Sequence, residues 1–506
     1  MIEKLEATTH SSPKRWIILA LMSAMNLFVE FVGFSITPRA STFEAAYPGF
    51  DSSDMVIYFL WGSVSMSLFI ASILQTLGLT RSLTFGSVLL LLGNLLKSGF
   101  PNYLHNNEEL IFTTSYVICG ASQPFFQISM LEVVDQWFPI NEKAMATGVI
   151  ACSGDMGTAT AYILTTAFVT NASDCPSFLS GITVVSGLFL VSTVILFSEG
   201  PYTKKKFSDK GAAAADPPSW GLYGDLRALG GLLTSPLFLV LVLQAAFSTS
   251  FGDAVGTYVQ EMYADLSDDG RWYPMRPVSD TRTSMVACGF YVMALLAAAG
   301  AGWALSLLPG KLMAARSLAT LARCHAALCG ALFLVFLSLS QGSSNAARMD
   351  VLLVGSALFA GPVKSLGIEL ASQTDDKCTK YQLCQVEMFM CNLTSGLMLW
   401  AFDEMKSSDN PSGLAYDSSF LFYTITSAAL VIMLFSAHRC ILTVLEGASE
   451  EHNEDERKAL NTSISNSSLG EEDEDAPLSH RRPRVNLGVE PHIGQQVTTA
   501  FDCLAA

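Results

Sequence analysis

The sequence predicts an all-α membrane protein whose twelve transmembrane helices form two halves of six. Three observations carry this expectation. Hydrophobic residues make up 50% of the 506 positions and charged residues only 15%, with a mean hydropathy of +0.39, which is far from a water-soluble globule. The apolar residues gather into twelve runs, each long enough to cross about 30 Å of hydrocarbon with roughly 20 residues. A polar, basic stretch then separates six runs from six.

The first run, about residues 16 to 37, follows Lys14 and Arg15 and lacks a small-residue cleavage site, so it reads as a span that stays and not as a signal peptide. It carries Glu30 in its interior. The second and third runs cover about 55 to 76 and 82 to 101, with Lys97 near the outer end of the third. The fourth, about 110 to 134, is mostly apolar, and its acids Glu132 and Asp135 fall at its end. The fifth, about 144 to 168, holds Asp155 beside Gly154 and Gly157, and the sixth runs from about 177 to 197. In the second half, the seventh run covers about 235 to 262 with Asp253 deep inside it, and the eighth and ninth cover about 283 to 307 and 317 to 340. The tenth, about 350 to 372, contains the helix-breaking Gly361-Pro362 pair followed by Lys364 and Glu369. The eleventh, about 382 to 402, contains Glu387, and the twelfth covers about 418 to 440.

The expected organisation is a short cytoplasmic N-terminus (1–15), a first six-helix half (16–197), a cytoplasmic linker (198–234), a second half (235–440) and a disordered acidic cytoplasmic tail (441–506). The linker's Lys204, Lys205, Lys206 and Lys210, with Lys311, Arg316, Arg323, Lys377 and Lys380 in the other loops on that side, place both termini in the cytoplasm by the positive-inside rule. The tail's Glu, Asp, Ser and Asn cannot bury enough apolar surface to offset the cost of ordering. Residues 442 to 506 carry 13 acids against 5 bases, half of the net charge of −16. The acidity therefore says little about what the membrane domain handles, but it argues against nucleic acid, whose binding needs basic surface. The tail is also where an unidentified partner would attach.

Of eleven cysteines, most fall inside apolar runs or at their inner ends and only Cys175 is expected in an outer loop, so a disulfide framework is not expected. Asn171-Ala-Ser173 is a glycosylation acceptor on the expected outer side. The seven histidines read as lying in loops, tails or near span ends, so no metal site or cofactor is expected, and no reactive constellation of an enzyme is visible.

Six plus six spans around a basic central loop is the hydropathy pattern of the major facilitator fold, in which two halves rock around a midplane site. Motifs sharpen the expectation. Gln123-Pro124-Phe125-Phe126 through Asp135-Gln136-Trp137-Phe138-Pro139, then Asn141-Glu142-Lys143, Ala146-Thr147-Gly148 and Gly154-Asp155-Met156-Gly157, resemble the fourth-to-fifth-span region of the feline leukaemia virus subgroup C receptor-related transporters. Leu92-Gly93-Asn94-Leu95-Leu96-Lys97 and Leu366-Gly367-Ile368-Glu369-Leu370-Ala371 resemble that family's third and tenth spans. Gln75 is a departure, because the family has an acidic gate residue there.

The resemblance implies a substrate site made from Glu30, Gln123, Asp253 and Asn392. Glu30 and Asp253 stand where choline-transporting members have aromatic residues that cover a quaternary ammonium, Gln123 matches a binding glutamine, and Asn392 stands in place of a second. An ionised side chain at mid-depth costs roughly 2.5 to 3.5 kcal/mol, so each must have a partner or a purpose. Exchanging ring faces for carboxylates favours a hydrogen-bonding cation over choline. Asp155, Lys364 and Glu369 are the candidates for gating or proton coupling. The expected activity is movement of a small organic solute, first of all a cation such as choline or ethanolamine, by a protein that acts as a monomer in a plasma or endolysosomal membrane. A haem transporter, an amino-acid or nutrient facilitator and a non-transporting receptor or sensor are the other readings. Midplane acids without midplane histidines disfavour haem.

Overall fold

The computed structural model describes residues 13–47, 51–98, 107–138, 140–197, 230–232, 235–268, 280–306, 310–340, 346–372, 380–407 and 419–434. Helices are α1 (Lys14–Phe34), α2 (Ala40–Ala46), α3 (Ser52–Ser67), α4 (Ile70–Leu77), α5 (Leu79–Leu96), α6 (Glu108–Gln127), α7 (Ser129–Trp137), α8 (Ile140–Phe168) and α9 (Cys175–Leu196) in the first half. The second half has α10 (Pro236–Asp268), α11 (Asp280–Ser306), α12 (Gly310–Ser340), α13 (Ala346–Ser372) and α14 (Lys380–Ser407), then α15 (Ser419–Leu434). The linker from 198 to 229 and the tail from 435 onward lie outside the described residues.

The twelve expected runs are met in order by α1, the pair α3–α4, α5, the pair α6–α7, and α8 to α15 singly. Eight described helices are long and apolar enough to cross a membrane on those grounds alone, or nine when the bent pair α3–α4 counts as one span. Several helices run past their apolar cores, as α12 does by starting at Gly310, because backbone groups stay paired in the helix through the interface as well as in oil.

Among the described residues one span is sharply bent, for local reasons. Ser65 and Ser67 return their hydroxyls to the carbonyls of Trp61 and Ser63, each at 2.8 Å, which bends a helix, and α3 meets α4 at 56°. Pro124 inside α6 removes a donor from the ladder, yet Ile128 stays helical with its N–H on the carbonyl of Pro124, so α6 and α7 continue as one span, Glu108–Trp137. Gly78, at φ 77°, turns α4 into α5 in a conformation that suits only glycine. Asp51 caps α3 by accepting from the backbone N–H of Ser53 at 2.9 Å.

Packing follows small residues. Gly62 on α3 and Gly120 on α6 lie so close to the facing backbone that a Cβ on either would run into the carbonyl of Val117 or of Phe59. One apolar core cluster contains residues of both halves, from Ile18 on α1 to Leu430 on α15. Between the halves, α8 packs on α11 and α14 on α3. At the end opposite the N-terminus the halves are tied together. Tyr162 donates to the carbonyl of Gly256 at 2.6 Å, the hydroxyls of Thr166 and Ser284 meet at 2.7 Å, and the Gln260 amide donates to the carbonyl of Pro38.

Candidate functional site

Glu30 sits on α1 against α8, where Gly157 leaves room for its Cβ and Gly154 lies 3.8 Å from its Oε1, both measured from the position a glycine Cβ would take. One turn earlier, Asn26 donates to the carbonyl of Ile150 at 2.8 Å and fixes the same helix pair. Two amides from α6 converge on a single oxygen of Glu30: Gln123 Nε2 donates to Oε1 at 2.6 Å and Gln127 Nε2 at 2.7 Å. They are four residues apart and so stand one above the other on the helix face. Both their Oε1 atoms are buried without a hydrogen-bond partner, and Gln123 is only 2% exposed.

Asp253 comes from α10 in the other half and, with Lys364 and Asp155, is one of the charged neighbours of Glu30. Beside Asp253 lies Ser395 of α14, whose buried hydroxyl makes no hydrogen bond of normal geometry. Asp155 on α8 and Lys364 on α13 form an ion pair at 2.7 Å that crosses from one half to the other. The tyrosines nearby face the backbone: Tyr291 donates to the carbonyl of Gly252 at 2.7 Å. Three carboxylates and one ammonium therefore meet between the halves, and the ammonium is already engaged.

Of the expected site residues, Glu30, Gln123, Asp253, Asp155 and Lys364 are brought together. Asn392 is 3% exposed and donates to Ser63 Oγ at 2.8 Å, a contact between α14 and α3. Glu369 lies on α13, but its side chain is outside the described residues. Asn171 is exposed in the turn between α8 and α9, where its amide donates to Thr170 Oγ1 at 3.0 Å and its side chain takes part in a capping box with Asp174. Gln127 is the residue that sequence reasoning missed, and its spacing of four from Gln123 was the available signal.

Other buried polar groups lie apart from this cluster. Lys97 does not reach for water: it is 2% exposed, with Nζ 3.9 Å from the centroid of the Tyr116 ring. Glu387 is 4% exposed and its Oε1 has no partner. His325, expected near a span end, lies well inside α12, fully buried, with its ring 5.4 Å from that of Phe247. The ring packs as aromatic surface against Phe247, while both of its nitrogens are buried without a hydrogen-bond partner among the described residues.

A bent, polar centre between two six-helix halves is an arrangement that known proteins share. The model of the Major Facilitator Superfamily matches residues 16–374. The chain belongs to the Major Facilitator Superfamily. Its fold is similar to that of a D-xylose–proton symporter, with a TM-score of 0.63 at 12% identity over 82% of this chain and 96% of that one. It is also similar to a bacterial homologue of the iron transporter ferroportin in an outward-facing state, with a TM-score of 0.57 at 11% identity over 83% of this chain and 98% of that one. Among curated proteins, solute carrier family 49 member A3 of Xenopus tropicalis is 21% identical over 259 residues, 49% of this chain and 52% of the relative. The chain thus spans about half the length of that relative. Membership of the superfamily places the chain among multi-pass membrane proteins of the facilitator transporter type.

Proposed function

We propose that this facilitator moves a small organic cation bearing N–H donors, with ethanolamine a better fit than choline, through the cleft between its halves by alternating access. The reading rests on one observation: Glu30 of the first half and Asp253 of the second lie in one charged neighbourhood while the ammonium of Lys364 is bound to Asp155 at 2.7 Å. Two carboxylates at mid-depth then lack a compensating charge among the described residues, and such charges need a partner in oil. A cationic nitrogen supplies one. The carbonyl oxygen of Gln123, buried and unpartnered, and the hydroxyl oxygen of Ser395 beside Asp253 accept N–H donors that a quaternary ammonium does not have. Glu30, Gln123 and Asp253 are the direct contacts in this reading. Asn392 shapes the wall through Ser63, and Asp155, Lys364 and Glu369 govern the movement of the halves.

The resemblance to the feline leukaemia virus subgroup C receptor-related transporters supports an organic cation as cargo, and the basic inner loops support cytoplasmic termini in a plasma or endolysosomal membrane. The test is uptake into proteoliposomes from a panel of ethanolamine, choline, haem and amino acids, repeated with Glu30→Gln and Asp253→Asn. Ethanolamine uptake should exceed choline uptake and fall at least tenfold in either variant. Unchanged uptake of every cation in both variants refutes the proposal.

A further inference from the structure

We infer that Gln127 is a specificity-determining residue: its carbonyl oxygen, with that of Gln123 and the free oxygen of Glu30, ranks cationic cargo by the number of N–H groups it carries. The inference rests on the cation reading above and adds to it one residue and a rule of selection.

Gln123 and Gln127 both donate from Nε2 to Oε1 of Glu30, at 2.6 and 2.7 Å. The carboxylate dictates how both amides are turned, because a flip would set a carbonyl oxygen against it. Each carbonyl oxygen shares a carbon atom with the nitrogen that donates, so both oxygens are held beside the same carboxylate. Both are shut off from water and have no hydrogen-bond partner. A buried acceptor without a donor is a cost, and here it is carried twice within about one turn of helix. One amide suffices to orient a carboxylate. What the second contributes is a further acceptor.

Oε2 of Glu30 has no hydrogen bond among the described residues. Two amide oxygens and one carboxylate oxygen therefore make three acceptors on the wall formed by α1 and α6. A primary ammonium has three N–H donors and a quaternary one has none. Each N–H exchanged for a methyl group leaves one acceptor without a donor, and where water has no access nothing else fills it. The charge of Asp253 acts alike on every member of such a series, since each carries one positive charge.

The experiment uses the full chain in proteoliposomes and reads inhibition of radiolabelled ethanolamine uptake, with protein-free vesicles subtracted. The competitors are ethanolamine, N-methylethanolamine, N,N-dimethylethanolamine and choline. The inhibition constant should rise about tenfold for each N–H replaced by methyl. As a control for size, 1-amino-2-propanol is an isomer of N-methylethanolamine that keeps three N–H groups, and it should stay close to ethanolamine. In Gln127→Met the step from ethanolamine to N-methylethanolamine should shrink from about tenfold to near one. A side chain that only holds Glu30 in place would weaken all the amines alike and keep that step, so a step kept at tenfold overturns the role of Gln127. Gln127→Leu reads the same ratio if the Met variant does not fold. Whatever the variants do, a flat series in the wild type, or 1-amino-2-propanol as weak as its isomer, overturns the inference while leaving cation transport standing. No saturable uptake of any amine removes the cation reading itself.

Discussion

Replacing Lys364 with Met removes the one ion pair described between the halves and should redistribute the protein among its conformations. The pair is tight, at 2.7 Å, but its side chains are 32% and 26% exposed, so it lies between two limits. Exposed pairs contribute about 0 to 1 kcal/mol, whereas breaking a fully buried pair costs about 3 to 5 kcal/mol because a charge is left stranded. Partial access to water places this bridge at about 1 to 2 kcal/mol of coupling between the halves. That energy is present only where Asp155 and Lys364 meet, so its loss should lower the population of the observed closed arrangement by roughly 5- to 30-fold. Spin labels at Asn171 and Thr281, exposed positions in opposite halves at the sealed end, would read the change as growth of a longer-distance population. Asp155→Asn should give the same shift, and the double variant should add little, because either change alone already abolishes the pair. Single variants with unaltered distance distributions, or a double variant equal to the sum of the two, would refute the idea that this bridge holds the halves together.

Two further outcomes follow from the packing. Gln385 donates to the carbonyl of Leu68 at 2.9 Å, the group freed by the bend in the second span, so Gln385→Leu should cost about 1 to 3 kcal/mol, seen as a lower Tm in detergent; an unchanged Tm would mean that water reaches that carbonyl. Gly120→Val should drive α6 into the backbone of α3 at Phe59 and lower stability by at least about 1 to 3 kcal/mol, read as reduced folded yield by size-exclusion chromatography. Wild-type yield would refute the close approach.

The number and order of the spans were legible because oil leaves a chain few alternatives: every backbone group must be paired within its own helix, and the side chains facing lipid must be apolar. The centre was legible for the converse reason. Glu30, Asp155, Asp253 and Lys364 are expensive where they stand, and a charge in the middle of an apolar run stands out by its position alone. Their pairing was not legible, since nothing local links Asp155 to Lys364 across 209 residues. The bend in the second span was written in Ser63-Val64-Ser65-Met66-Ser67, yet hydroxyls that bend one helix are tolerated straight in another, so only packing against α5 and α14 decides it. The amide of Asn392 went to Ser63 for a related reason: an inward-facing polar group takes the nearest acceptor, and α14 lies on α3.

The glycines and amides around Glu30 and the acidic residues belong to one arrangement. Pro124 sits inside α6 beside Gln123 and Gln127, which both turn their amides to one oxygen of Glu30, and Gly154 and Gly157 let α8 approach closely enough to hold Glu30 from the other side. The carboxylate is thereby fixed within the first half before any ligand arrives, while its counterpart Asp253 rides on the second. A group held rigidly on one half and a partner carried by the other make the free energy of the site depend on the distance between the halves. In the proposed reading, a cation lowers that energy only when the halves are together. On that proposal, cargo bound at the site favours closure and release on either face lets the halves part again, which is the physical requirement for alternating access.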